Sequence, residues 1–158
     1  MELRGTGVAT IETGLPVLDH LLEQLVEVAR FDVTLEVEPG GAEAEVSEAG
    51  SALGRALAGP LRAGRGYGSA IMTSSEALAN VVLEASETPL LVSNVDLTDA
   101  RIGGLGTDVA RRFLERLADG AGLTLHVRLL NGTDTQHVLE AIFKALGVAL
   151  SQACEQRS

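Results

Sequence analysis

The chain has 158 residues, a length that suits one domain with its own hydrophobic core. Hydrophobic residues make up 46% of the chain, which excludes a disordered protein, and aromatic residues only 3%, so the core must consist mainly of Leu, Val and Ala. The formal net charge of −10 opposes long-range attraction to nucleic acids and anionic lipids, and we expect neither as a partner.

Cysteine content and apolar runs further narrow the class of protein. Cys154 is the only cysteine, which excludes an intrachain disulfide and a metal site with two thiolates. No apolar run approaches the roughly 18 residues that a membrane span needs, and Met1–Arg4 lacks the features of a secretion signal. We therefore expect no membrane segment and a cytoplasmic location.

The first half of the chain predicts two strands and two helices. Apolar and polar residues alternate over Val8–Thr13 and again over Phe31–Glu38, as in half-buried strands. Pro16 suits the first turn of a helix. The residues after it carry apolar side chains at helical spacing, namely Leu18, Leu21, Leu22, Leu25 and Val28. A second helix is predicted from about Val46 to Ala58, ended by Gly59-Pro60.

The second half predicts a strand-rich segment followed by a helix, a strand and a helix. Strands are expected at Ser69–Thr73, Asn80–Ala85 and Pro89–Val95, and a loop at Gly103-Gly104. The remaining elements are a helix from Asp108 to about Ala118 capped by Thr107, a strand over Leu123–Leu130 and a helix over Thr135–Ala153.

Two pairs of similar segments indicate an internal duplication. Val33–Val37 is similar to Leu123–Val127, and Ala52–Leu57 is similar to Ala145–Leu150. We therefore predict an α+β fold of two similar strand-helix-strand-helix halves, with helices packed on one face of each sheet. Residues 1–158 would form a single domain built from two repeats, at about 5–63 and 69–154.

The last predicted helix carries a row of polar side chains. His137, Glu140 and Lys144 lie on one face of it, and an imidazole and a carboxylate one turn apart can hold a divalent metal ion. The same spacing is also typical of a solvated polar face, and on spacing alone both interpretations stay open.

Several segments together resemble one enzyme family. They are Gly5–Gly7, Thr13–Leu25, Ala52–Leu57, Tyr67–Ala70, Glu76–Ala79, Gly122–Val127 and the last helix with the preceding Gly132. Along nearly its whole length the chain is similar to imidazoleglycerol-phosphate dehydratases, the manganese enzymes of histidine biosynthesis. The resemblance implies an internal twofold repeat and subunits that assemble into large symmetric particles, so we expect a homo-oligomer.

The resemblance also implies where metal ligands and catalytic groups should lie. In the family each repeat carries a His-His-x-x-Glu motif. The second copy matches Gln136–Glu140, where Gln136 replaces one histidine while His137 and Glu140 remain; the first copy falls on Glu43–Ser47 and has lost both histidines and the glutamate. The remaining candidates are His20, His137 and Glu140 as metal ligands and Glu76 and Lys144 as catalytic residues.

Groups for the substrate phosphate differ from the family pattern as well. Arginine suits phosphate because its planar fork can bond two oxygens. One family arginine falls on Gly66 and another on Thr88, which leaves the adjacent Arg65 as the predicted substrate-binding residue for a small phosphorylated ligand. His126 is predicted to be structural.

Three functional hypotheses follow. In the leading hypothesis the chain is a non-catalytic or repurposed family member, a pseudoenzyme that acts by assembly or binding and has no cofactor. In the second it is a working, metal-dependent dehydratase that completes its site across subunits. In the third it is a different small-molecule enzyme or binding protein, in which His20, His137 and Glu140 hold one manganese or zinc ion. Metal analysis separates the first hypothesis from the other two.

Overall fold

A computed structural model describes residues 5–95, 101–102 and 105–156 of the chain. The elements of the first half are β1 (Ala9–Glu12), α1 (Pro16–Ala29), β2 (Val33–Glu36) and α2 (Ala42–Ala63). Those of the second half are β3 (Tyr67–Ser74), β4 (Ala77–Ala85), β5 (Leu90–Ser93), β6 (Arg101–Ile102), β7 (Leu105–Gly106), α3 (Thr107–Ala121), β8 (Leu123–Asn131) and α4 (Thr135–Ala153). The fold is α+β, as predicted.

The helices pack against the two-stranded β1–β2 sheet and against one face of a larger, four-stranded sheet. Strands β1 and β2 pair in parallel, and α1 and α2 pack against them. The larger sheet has the order β3-β4-β8-β5, in which only β5 and β8 are parallel, and α4 packs on the face formed by β3 and β4. Helix α1 packs on α4, and α2 packs on α3.

The two halves of the chain end in the same order of elements, a helix, a strand and a helix. The order α1-β2-α2 in the first half corresponds to α3-β8-α4 in the second, and the first half follows the predicted strand-helix-strand-helix order. The second half differs because β3, β4, β5, β6 and β7 all precede α3. The division into repeats at about 5–63 and 69–154 stays a prediction.

The predicted bounds of α2 were wrong at both ends. The helix begins at Ala42 and continues through Pro60 to Ala63, although Gly59-Pro60 was expected to end it. Proline removes one backbone donor from a helix, but the apolar stripe continues past it and buries Leu57 and Leu61 almost completely. That burial offsets the lost hydrogen bond.

Smaller differences concern strand and helix ends. Helix α3 starts at Thr107 itself and runs past Ala118 through Gly120, because Gly120 packs closely against α2. Strands β3 and β4 are longer than predicted and meet in a tight hairpin, whereas β1, β2 and β5 are shorter. The loop predicted at Gly103-Gly104 lies outside the described residues. Helix α4 matches its predicted bounds.

The core is built from aliphatic side chains, as the composition predicts. Three phenylalanines are its largest fully buried members: Phe31, Phe113 and Phe143. The outward face of the larger sheet carries exposed apolar side chains, including Tyr67, Ile71, Val82, Leu90 and Val92. Among the described residues, no helix has the length and apolar character required to cross a membrane.

Candidate active site

The candidate site lies at the first turn of α4. The side chain of Asp134 caps this helix by accepting a hydrogen bond from the backbone N–H of His137 at 3.1 Å. The cap fixes where the helix begins, and it therefore sets the directions of the His137 and Glu140 side chains one turn apart. Each of these side chains pairs with a group from a different element.

His137 pairs with Glu76 from the hairpin between β3 and β4. Its Nδ1 lies 2.5 Å from Oε1 of Glu76 and 3.8 Å from Oδ1 of Asp134. Ser75, at φ 49°, turns the chain so that Glu76 faces α4. The hydrogen bond to Glu76 raises the pKa of His137 above its usual value of 6.5, and the charges of Asp134, Glu76 and Glu140 add to this effect.

Glu140 contacts two side chains of α1, and this is the second of the two pairings. Its Oε2 lies 3.7 Å from Nε2 of His20, and Gln24 donates a hydrogen bond to the same oxygen from Nε2 at 3.1 Å. The Glu140 side chain is only 13% exposed, whereas that of His20 is 53% exposed. Glu140 is therefore a fixed carboxylate, reached by two side chains of α1.

Gln24 was not among the residues that the sequence singled out for the site. It follows His20 by four residues on α1, so both side chains lie on one face of the helix, and that spacing was the available signal. Its Oε1 is buried without a hydrogen-bond partner among the described residues.

A cleft opens beside the His20–Glu140 pair. It has a volume of about 250 Å³ and lies between the first turns of α1 and α4. Pro16, Val17, Leu21 and Leu139 give it an apolar lining, and His20, Gln136 and Glu140 supply the polar groups. An apolar lining with a few polar groups is typical of small-molecule sites.

Lys144 has a partner within the chain. Its Nζ donates a hydrogen bond to the carbonyl oxygen of Thr73 at 2.8 Å, which ties α4 to the end of β3. In this structure the ammonium group is bound to a backbone carbonyl, and the catalytic role expected for Lys144 stays a prediction.

Arg65 lies at the opposite end of β3 from Glu76. Its guanidinium sits over the ring of Tyr67, 4.2 Å from the centroid, and 3.7 Å from a carboxylate oxygen of Glu155. Because the eight residues of β3 each rise about 3.3 Å, the two ends of the strand are roughly 23 Å apart. One chain therefore does not bring Arg65 to the His137–Glu76 pair.

A second hollow surrounds Arg65 on the outward face of the larger sheet. It has a volume of about 410 Å³, and Tyr67, Ser69, Thr124 and His126 contribute to its lining. His126, expected to be structural, is an exposed side chain on β8.

The segment Glu43–Ser47, which corresponds to the first motif copy, is arranged differently from the start of α4. Glu43 forms an ion pair with Arg112 of α3 at 2.6 Å. Glu45 is 8% exposed and lies against Gly14, and no described residue forms a hydrogen bond with its Oε2. Gly14 has φ +87°, and the carboxylate occupies the space that a side chain at this position would need. No histidine is present in this segment.

The donors of a single chain do not fit a complete metal site. Imidazole and carboxylate groups are suitable ligands for manganese and zinc. Within the described ranges, however, no group of three or more His, Cys, Asp or Glu side chains is close enough together to hold an ion. The structure instead brings the four candidates together as two pairs, His137–Glu76 and His20–Glu140.

Comparison with known proteins identifies the family. The family model described as imidazoleglycerol-phosphate dehydratase matches residues 13–150. The imidazoleglycerol-phosphate dehydratase of Roseobacter denitrificans is 38% identical over 162 aligned positions, covering 98% of this chain and 83% of the relative. The solved dehydratase structure from Staphylococcus aureus superposes with a TM-score of 0.89 at 27% identity, covering 98% of this chain and 91% of the other. The dehydratase structure from Pyrococcus furiosus, a complex with (S)-C348, gives a TM-score of 0.88 at 29% identity and covers 96% of this chain and 86% of that one. The chain belongs to the imidazoleglycerol-phosphate dehydratase family of histidine biosynthesis.

Proposed function

We propose that this chain is a cytoplasmic imidazoleglycerol-phosphate dehydratase whose metal centre is completed by residues of a second chain. The observation that carries the proposal is the pair of imidazole–carboxylate contacts, His137–Glu76 and His20–Glu140, at the first turn of α4. Similarity to dehydratases along 98% of the chain supports it. This interpretation replaces the non-catalytic one as the leading hypothesis, because the relatives carry the name of the working enzyme.

The reaction needs a base and a site for the departing hydroxyl. Loss of water from the glycerol phosphate removes one carbon-bound proton and one hydroxyl group, and the resulting enol rearranges to a ketone. Of the two site carboxylates, Glu140 lines the cleft, whereas Glu76 is bonded to His137. The apolar lining of the cleft would receive the imidazole ring of the substrate.

A second chain is required by the number of donors. His20, His137 and Glu140 are the ligands that this chain would contribute to a manganese or zinc ion, but its described residues converge only in pairs. The exposed apolar side chains on the outward face of the larger sheet favour association with further copies. An intact dehydratase subunit is the alternative source of the missing ligands.

Arg65 supplies the second reason for a shared site. A guanidinium held between Tyr67 and Glu155 is suited to bind the substrate phosphate, yet it lies roughly 23 Å from the Glu76 end of its own β3. Only another chain can bring an Arg65 and a His137 to one small ligand.

A second candidate function is a non-catalytic subunit that acts by assembly. The segment Glu43–Ser47 favours it, because Glu43 is engaged by Arg112 and Glu45 is buried against Gly14, so neither carboxylate is free to replace a lost metal ligand. Such a subunit would bind an intact dehydratase and contribute surfaces, with no chemistry of its own.

A dehydration assay separates the two candidates. The purified chain is incubated with manganese or zinc, alone and mixed with an intact dehydratase, and loss of imidazoleglycerol phosphate is followed by phosphorus NMR. The proposal predicts turnover by this chain alone, or in the mixture above that of the intact dehydratase by itself; His137→Ala removes this turnover, while Glu115→Ala on the exposed face of α3 leaves it unchanged. Assembly with the intact subunit but no turnover dependent on His137 would establish the non-catalytic role instead.

A further inference from the structure

The two histidines of the site meet their carboxylates through different ring nitrogens. His137 uses Nδ1 toward Glu76, whereas His20 directs Nε2 toward Glu140. Only the first contact is a hydrogen bond, and a short one at 2.5 Å, because 3.7 Å is beyond hydrogen-bond distance. The two imidazoles are therefore held in different ways.

We propose that Glu76 is a positioning residue that holds His137 in the tautomer with the proton on Nδ1, so that Nε2 is the nitrogen presented to a ligand. An ionised carboxylate can only accept hydrogen bonds, so a bond between it and Nδ1 requires the proton on Nδ1. In a neutral imidazole the other nitrogen then carries the lone pair. The use of this tautomer in catalysis rests on the proposed function, whereas the assignment of the tautomer itself does not.

The surroundings of the ring support this assignment. Asp134 is the other carboxylate near Nδ1, but at 3.8 Å it is beyond hydrogen-bond distance, and its Oδ1 already accepts the backbone N–H of His137. No described residue forms a hydrogen bond with Nε2, and the His137 side chain is 34% exposed. Nε2 is thus the ring nitrogen left without a partner among the described residues, on a side chain that is partly exposed.

The position of Glu76 explains why it acts through His137. It lies at the hairpin between β3 and β4 and reaches a residue 61 positions further along the chain. Carboxylates that bond the second nitrogen of an imidazole fix the ring orientation and increase its basicity. Glu76 therefore takes this orienting role in our assignment, in place of the direct catalytic role that the sequence predicted.

Nitrogen-15 NMR of the imidazole rings tests the tautomer directly. The chain has only three histidines, so the ring signals can be assigned by comparing the intact chain with His137→Gln. Spectra are recorded on metal-free protein, at a pH where His137 is neutral. We expect the Nδ1–H form to dominate for His137, and Glu76→Ala to move its ring signals toward the Nε2–H form that free histidine prefers.

Two further variants complete the test. Asp134→Ser retains a helix cap and removes the second carboxylate, and we expect it to leave the His137 tautomer unchanged. Glu76→Gln keeps an acceptor oxygen and should retain more of the Nδ1–H form than Glu76→Ala, which covers the case in which the alanine variant fails to fold.

Two outcomes would overturn the assignment. One is an Nε2–H tautomer at His137 in the intact chain. The other is a tautomer that changes in Asp134→Ser but stays the same in the Glu76 variants. Because these spectra need neither metal nor substrate, a failed dehydration assay with the expected tautomer would refute the proposed function alone.

Discussion

Helices α2 and α3 approach each other so closely at Gly54 that no side chain fits there. A Cβ atom placed on Gly54 would lie 2.8 Å from the carbonyl oxygen of Leu117 and 2.9 Å from the backbone N of Ala121, whereas ordinary contacts begin near 3.4 Å. Both neighbours are backbone atoms, so Gly54→Ala forces the helices apart by more than half an ångström. Overpacking of this kind costs about 1–3 kcal/mol, and the better helix propensity of alanine returns about 1 kcal/mol.

The same helix offers a matched control. Apart from its chain neighbours and the nearby backbone of α2, no atom of the described residues comes within 4 Å of the position that a Cβ on Gly59 would occupy, so Gly59→Ala meets no other element, while the Pro60 that follows reduces the gain in helix propensity. We therefore expect Gly54→Ala to lower the free energy of unfolding by up to about 2 kcal/mol, and Gly59→Ala to change it by less than about 1 kcal/mol.

Urea unfolding followed by circular dichroism measures both changes, and at this chain length each kcal/mol moves the melting temperature by about 2–4 °C. Equal stabilisation by the two substitutions would refute the close approach of α2 and α3.

Three further predictions concern individual side chains. Because the hydrogen bond to Glu76 raises the pKa of His137, pairing of the charged imidazolium with Glu76 adds stability that is fully present below pH 6.5 and is lost as the pH rises through the raised value, while the hydrogen bond of the neutral ring remains; the stability difference between the intact chain and His137→Gln should shrink over that range in urea titrations. Burial raises the pKa of Cys154 to about 11, so iodoacetamide should label the native thiol slowly at pH 8 and rapidly in denaturant; fast native labelling would contradict this. Glu45→Met should raise the free energy of unfolding by about 1 kcal/mol or more, because it removes a buried carboxylate oxygen that has no partner among the described residues; destabilisation would show that this oxygen is satisfied.

Much of the fold could be predicted from sequence patterns, because in most elements the local signals and the burial of apolar side chains indicate the same structure. Helix α4 has a polar cap at Asp134, an apolar stripe and no proline, and its bounds were predicted to the residue. Helix α2 was harder, since Gly59-Pro60 is a local stop signal that burial of Leu61 overrides. Only tertiary packing decides such a conflict, and a single sequence does not contain that information.

The residues of the candidate site were predicted from the sequence, but the way in which they pair was not. His20, Glu76, His137 and Glu140 followed from the family resemblance, and all four lie around the first turn of α4. That Glu76 pairs with His137 and Glu140 with His20 depends on how α1 and the β3–β4 hairpin meet α4. The distance between Arg65 and this group likewise became visible only once β3 was placed.

The metal content of the assembled protein tests the central claim most directly. The chain is purified, incubated with manganese or zinc, desalted and analysed by elemental mass spectrometry, alone and after mixing with an intact dehydratase, with His137→Ala in parallel. The account predicts about one or more equivalents of metal per chain in an oligomer, and their loss in His137→Ala. Less than about a tenth of an equivalent per chain in every sample, after the metal that the intact dehydratase holds by itself is subtracted, would contradict a metal centre completed between chains.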